Sequence, residues 1–281
     1  MSQRSTRDAL TFAAQRLAES GIDSARLDAR VLLAHALGLP GDVPLAFKTI
    51  GQEQREAFDA LIARRVAREP LAYITGTKEF FSLNFEVGPG VLVPRPETET
   101  LIEEALREFP DRGASPDVLD LGTGSGCLLI TFLKHYDGAR GLGVDASPEA
   151  LVWAARNVSR YGLAGRCTLV RGGWNATGAF DVVFTNPPYL TDAEFLEAAP
   201  EISRHEPRLA FVAGPDGLSA YRNLIPQIAG TLKPGGTAFV EIGAGQSNAV
   251  TGIIKENGLE LHRVAPDLSG TSRCIIAGRP G

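Results

Sequence analysis

Asp117-Val118-Leu119-Asp120-Leu121-Gly122-Thr123-Gly124-Ser125-Gly126 decides how the rest of the chain is read. An apolar run of strand length leads into a turn with glycine at every second position, and a helical pattern follows to about His135. Glycines there allow a tight turn and let a ligand approach the main chain. The spacing is G-x-G-x-G. The dinucleotide fingerprint G-x-G-x-x-G would need glycine at 127, where Cys127 stands.

Strands and helices alternate from this point on. The pattern predicts strands over 141–145, 167–170, 181–185, 237–242, 259–264 and 273–277. It predicts helices over 148–161, about 218–232, and 247–257, with a Lys233-Pro234-Gly235-Gly236 turn before strand 237–242. Such alternation means an α/β fold, Rossmann-like, with a mostly parallel seven-stranded sheet.

Asp145 closes the strand that follows the glycine turn. A carboxylate there can accept two hydrogen bonds from ribose hydroxyls. The helix that begins after Gly126 favours an anionic group at its N-terminus. An adenosine bearing an amino-acid carboxylate meets both demands. S-adenosylmethionine is such a molecule, and NAD fits less well. Trp174, after the third strand, is a candidate cover for the adenine.

A second motif, Asn186-Pro187-Pro188-Tyr189, follows the apolar run 180–184. Two prolines in succession make this loop stiff and rich in acceptors, because proline has no N–H. The Asn186 side-chain oxygen and the Pro187 carbonyl could hold the two N–H groups of a planar –NH₂, with Tyr189 against its flat face.

Upstream the character differs. Residues 6–20 place Leu10, Ala14 and Leu17 at helical spacing. A second helix carries Leu27, Val31 and Ala34 and closes at Gly38 and Pro40. A third, over about 52–68, carries Phe58, Ile62 and Val66. Residues 1–70 therefore read as a small helical bundle, with Arg64, Arg65 and Arg68 as a solvated basic face. Residues 71–93 read as a β-hairpin linker turning near Ser82–Asn84, and residues 94–281 as the catalytic domain. The segment Pro94-Arg95-Pro96-Glu97-Thr98-Glu99 opens a helix and puts Arg95 and Glu97 near a pocket mouth.

The chain has 281 residues, 44% of them hydrophobic and 22% charged, which suits one large domain or a large and a small one. A net charge of −5 gives no overall basic field for nucleic acid. Three scattered cysteines and four unpaired histidines give neither disulfide nor metal spacing, so no metal is expected. No apolar run approaches membrane-span length and no apolar leader opens the chain, so a cytoplasmic location is expected.

Taken together, these stretches resemble the HemK/PrmC family of methyltransferases. The likeness includes Thr75-Gly76-Thr77-Lys78-Glu79-Phe80-Phe81, the proline–arginine segment, the glycine turn, Asp145 and Asn186 to Tyr189. It continues through His205-Glu206-Pro207 and Asp216-Gly217-Leu218 to Asp267-Leu268-Ser269-Gly270-Thr271-Ser272-Arg273. The resemblance implies S-adenosylmethionine-dependent methylation of the glutamine amide in the Gly-Gly-Gln motif of peptide chain release factors. It implies that Gly122, Thr123, Gly124, Ser125, Gly126 and Asp145 hold the cofactor, and that Asn186 to Tyr189 hold the glutamine, with no nucleic acid required. It also implies that the helical bundle helps grip the release factor. Gly173 is a departure, since the family usually has an acid immediately before the tryptophan. Asn-Pro-Pro-Tyr alone is shared with adenine-N6 methyltransferases, so a nucleic-acid methyltransferase and a noncatalytic cofactor-binding adaptor are the competing readings.

Overall fold

The computed structural model describes residues 6–39 and 50–281. The chain divides into two compact units, Met1–Gly76 and Thr77–Gly281.

Among the described residues the first unit holds four helices, α1 (Thr6–Glu19), α2 (Ala25–Ala36), α3 (Gln52–Val66) and the short α4 (Leu71–Thr75). Gly21, in the left-handed region, ends the turn after α1, as expected. The buried stripes differ from the expected ones. On α1, Ala9, Ala13 and Leu17 are buried, while Leu10 and Ala14 are only half-buried. On α2, Leu27 is 61% exposed, while Asp28, Ala29, Leu32 and Leu33 face inward. Arg65 explains this rotation. Its Nε donates to Asp28 Oδ2 at 2.7 Å, and both side chains are buried. A guanidinium in a core needs a carboxylate partner. Asp28 therefore turns inward, and Leu27 beside it turns out. The predicted basic face is thus broken up: Arg64 pairs with Glu69, and Arg68 donates to the Ser20 and Gly21 carbonyls. The expected helix closure at Pro40 lies outside the described residues.

The second unit opens on a hairpin, β1 (Thr77–Phe80) and β2 (Leu83–Glu86). Its turn is Phe81–Ser82, not Ser82–Asn84. Both residues have positive φ, 50° and 62°. A two-residue turn of this hand matches the twist of the strands, and it fixes the pairing Phe80↔Leu83 and Lys78↔Phe85. Phe80 and Phe85 then share one buried face and meet edge to face at 6.1 Å. A later turn would slip the register and expose one ring. Glu99 Oε1 accepts from the Phe81 N–H at 2.9 Å and holds this conformation.

After a 3₁₀ turn over Pro96–Thr98 come α5 (Glu99–Glu108), β3 (Asp117–Leu121), α6 (Cys127–His135), β4 (Arg140–Asp145), α7 (Pro148–Arg160), β5 (Cys167–Arg171) and β6 (Phe180–Thr185). The chain continues through α8 (Asp192–Glu197), α9 (Pro200–His205), α10 (Ser219–Thr231), β7 (Leu232–Glu241), α11 (Ser247–Glu256), β8 (Glu260–Pro266) and β9 (Ser272–Gly278). The seven strands β3 to β9 form one sheet in the order β5-β4-β3-β6-β7-β9-β8, and only β9 pairs antiparallel to its neighbours. The mostly parallel seven-stranded sheet is as expected. Helices cover both faces. Leu101, Leu129 and Phe132 pack on one side, with Leu224, Ile228 and Ile254 on the other.

The Lys233–Gly236 turn is not a separate element. It stands out within β7, between the pairs Phe180↔Leu232 and Val182↔Thr237. Lys233 Nζ there bonds Asp117 and Asp181 at 2.8 and 2.7 Å. Helices α8 and α9 were not expected, because six residues are too few to show a helical period. Two local signals for them exist. Thr191 and Glu194 form a capping box, and Pro200 opens α9.

Candidate active site

Strand β3 lies between β4 and β6, so the chain leaves it in one direction and returns on the other side. Ligands of open α/β sheets bind in the crevice beyond the strand ends at such a switch point. Leu121 pairs with Thr185 in register, so Gly122 and Asn186 begin their loops side by side. A cleft of about 660 Å³ opens there. Gly122, Gly124, Asp145, Trp174, Asn186 and Arg95 are among its lining residues.

One half of the cleft joins the glycine turn to Asp145 and Trp174. Gly122, Gly124 and Gly126 have φ of 75°, 56° and 81°, a region in which only glycine is at ease. A Cβ on Gly122 would meet the Trp174 ring at 3.4 Å. Trp174 thus closes over the glycine turn, and Gly173 lines the cleft beside it. Asp145 accepts from the Gly124 N–H and the Ser147 N–H, each at 2.8 Å. A carboxylate offers about four acceptor sites, so roughly two remain for hydroxyls. Burial raises the Asp145 carboxyl above its ordinary range, while the backbone donors oppose the rise. Thr123 and Ser125 line the cleft as well, and Thr123 Oγ1 donates to Asp120 Oδ2 at 2.7 Å. Asp120 is buried and pushed up to about 7 by that burial.

The other half surrounds Asn186. Pro187 is buried and Pro188 lines the cleft. The Tyr189 N–H donates to the Phe211 carbonyl at 3.0 Å, its carbonyl accepts from Gln246 Nε2 at 3.0 Å, and its ring packs on the core beneath. Burial pushes the Tyr189 phenol up to about 12. The Asn186 amide is held by residues that sequence reasoning did not single out. Its Nδ2 donates to Thr98 Oγ1 at 3.1 Å, and Thr98 Oγ1 donates to Glu241 Oε2 at 2.6 Å. The available signal was an acid ending the apolar strand β7, as Asp145 ends β4. Arg95 is half-buried at the cleft, where its guanidinium pairs with Glu206 and lies 5.9 Å over Phe211. Glu206 also accepts from the Val93 N–H at 2.9 Å, so it ties the proline–arginine segment to the end of α9. Glu97 is exposed. Cys127, on the cleft wall, has its thiol pushed up to about 12 by burial and is inert near neutrality.

Comparisons with known proteins identify the family. The family model described as the PrmC N-terminal domain matches residues 8–76, and the one described as the methyltransferase small domain matches residues 98–215. The chain is 42% identical over 270 residues to the release factor glutamine methyltransferase of Rhodospirillum rubrum, covering 95% of this chain and 82% of that one. It is 42% identical over 277 residues to the same-named protein of Cereibacter sphaeroides, covering 97% and 98%. In fold it is similar to a methyltransferase from Pyrococcus furiosus, with a TM-score of 0.52, 18% identity, and coverage of 79% of this chain and 98% of that one. At such identity over nearly its whole length, the chain belongs to the release factor glutamine methyltransferase family.

Proposed function

We propose that this protein methylates the side-chain amide nitrogen of the glutamine in the Gly-Gly-Gln motif of peptide chain release factors, with S-adenosylmethionine as donor. The observation that carries this reading is the Asn186 amide. Its NH₂ donates one N–H to Thr98, which leaves Oδ1 as an acceptor beside the cleft.

The cleft residues fit the donor. Gly122 to Gly126 provide bare backbone, the N-terminus of α6 suits a carboxylate, and Asp145 keeps acceptor sites for a ribose. Trp174 is the flat apolar surface for an adenine. When bound, S-adenosylmethionine supplies an electrophilic methyl group on a sulfonium.

The chain's own residues handle the acceptor. Asn186 Oδ1 and the Pro187 carbonyl each take one N–H of the glutamine amide. This fixes the amide plane and presents one face of its nitrogen. Catalysis then rests on positioning rather than on a base. Tyr189 and Cys127 keep their protons near neutrality, as their raised pKa values require. An amide nitrogen that has gained a carbon is a strong acid, so its surplus proton passes to water without a protein base.

The helical unit matched over residues 8–76 contributes surface for the release factor, since a single glutamine side chain cannot supply the roughly 800 Å² per partner of a stable contact. A chain beginning at Thr77 should keep cofactor binding and lose activity on the intact factor through KM. An unchanged KM with a cooperative melt overturns that role. No described helix is long and apolar enough to cross a membrane, and the reading places the protein in the cytoplasm, where release factors act, with no nucleic acid required.

Methyl-labelled S-adenosylmethionine, offered with a purified release factor or with adenine-containing DNA, tests the whole reading. Label on the Gly-Gly-Gln glutamine is the expected result. Label on DNA and none on protein overturns it in favour of an adenine methyltransferase.

A further inference from the structure

We propose that Glu241, acting through Thr98, dictates which way round the Asn186 amide stands, and that this polarity makes the site accept a glutamine amide and refuse a carboxylate. The proposal rests on the function inferred above.

The two ends of an asparagine amide have the same size and shape. Packing alone does not choose between them, and the hydrogen-bond network does. Here the network has a fixed direction. Glu241 ends β7 and Asn186 follows β6. The pair Thr185↔Val240 is in register, so the next residue on each strand stands beside the other. Thr98, in the 3₁₀ turn ahead of α5, bridges them. Thr98 and Glu241 are 2% and 1% exposed, so each depends on the other as its hydrogen-bond partner.

A threonine hydroxyl has one proton and two lone pairs. An ionised Glu241 can only accept, so the Thr98 proton points to Oε2. Thr98 then has only lone pairs left for Asn186. The Asn186 NH₂ must face Thr98, and Oδ1 must face away from it. A substrate side chain at Oδ1 has to donate. One N–H of a glutamine amide does so while the other goes to the Pro187 carbonyl, and a glutamate carboxylate meets oxygen against oxygen. Discrimination built on a buried group left without its partner is strong.

The same network can be loosened. If Glu241 is replaced by an amide, Thr98 can accept from it and donate its own proton to Asn186 Oδ1. The Asn186 amide is then free to turn, and it offers donors to the substrate. Thr98 without its hydroxyl has the same effect. Thr98 and Glu241 are therefore positioning residues for Asn186.

The test uses the full-length protein at pH 8.5, with a release factor as substrate and its Gln→Glu form in the Gly-Gly-Gln motif as inhibitor. Burial pushes the Glu241 carboxyl up to about 7, so it is ionised in this assay. Wild type should bind the glutamate form far more weakly than the glutamine form. Thr98→Val and Glu241→Gln should each lower kcat by about tenfold or more, at unchanged S-adenosylmethionine affinity. Both should also bring the two release-factor forms toward equal binding. Thr98→Ser, which keeps the hydroxyl, should restore rate and discrimination together. Variants that lose rate yet refuse the glutamate form as strongly as wild type does overturn the proposal, because damage without a change of polarity is merely structural. Variants with wild-type rate and discrimination overturn it too. If Thr98→Val fails to fold, Glu241→Gln and Thr98→Ser still decide. A wild-type protein that methylates no glutamine sinks the functional reading and this proposal with it.

Discussion

The Thr185 hydroxyl donates to the Leu121 carbonyl at 2.8 Å, tying together the last residues of two parallel strands. The glycine turn leaves from one end of this bond and Asn186 from the other. The proposed donor and acceptor sites are thus built on a common edge of the sheet. Thr185→Val keeps the shape and removes the bond. It should cost about 1 kcal/mol of stability and lower kcat more than it weakens cofactor binding. Thermal melts and steady-state kinetics check this. A variant with unaltered kcat would mean that the strands alone align the two loops.

Asp145 has two duties, since it holds the Gly124 and Ser147 N–H groups as well as facing the cleft. Asp145→Asn removes the charge and one acceptor. Hydrogen bonds to a charged group contribute about 1.5–3 kcal/mol, so S-adenosylmethionine should bind roughly tenfold to a hundredfold more weakly. Calorimetry that finds unchanged affinity places the ribose elsewhere.

Asp120 makes stability depend on pH. Burial raises its carboxyl to about 7, and Oδ1 has no hydrogen-bond partner among the described residues. An acid with a raised folded pKa holds its proton more tightly in the native state. Its contribution is full below the ordinary carboxylate range and is lost as pH rises through about 7. Asp120→Asn lacks that proton. Between pH 5 and pH 8 the stability of wild type should fall by about 3 kcal/mol relative to the variant. Urea unfolding across that range measures the difference, and parallel curves would show that Asp120 does not titrate there.

In the helical unit, Asp28→Ala removes the carboxylate partner of the buried Arg65 guanidinium. Breaking such a pair costs about 3–5 kcal/mol, whereas replacing both partners by apolar residues is nearly neutral. Asp28→Ala should therefore open the helices of this unit to hydrogen exchange, and Asp28→Leu with Arg65→Met should close them again. Equal protection in wild type and Asp28→Ala overturns the assignment.

The sequence by itself determined the elements whose signal is local. The apolar run before Gly122, the glycines that follow it, Asp145 closing the next strand and the proline pair after Asn186 each announce their backbone within a few residues. The alternation of strand and helix placed them in one mostly parallel sheet. Tertiary structure decided what joins distant residues. Thr98 and Glu241 are 143 positions apart, and Arg65 and Asp28 are 37 apart. Neither pair leaves a mark in hydrophobic spacing. The exposed Leu27, the turn at Phe81–Ser82 and the direction of the Asn186 amide follow from such pairings. A buried charge, a buried ring or a lone hydroxyl proton must find its partner wherever the packed chain brings one, and local pattern carries no record of that meeting.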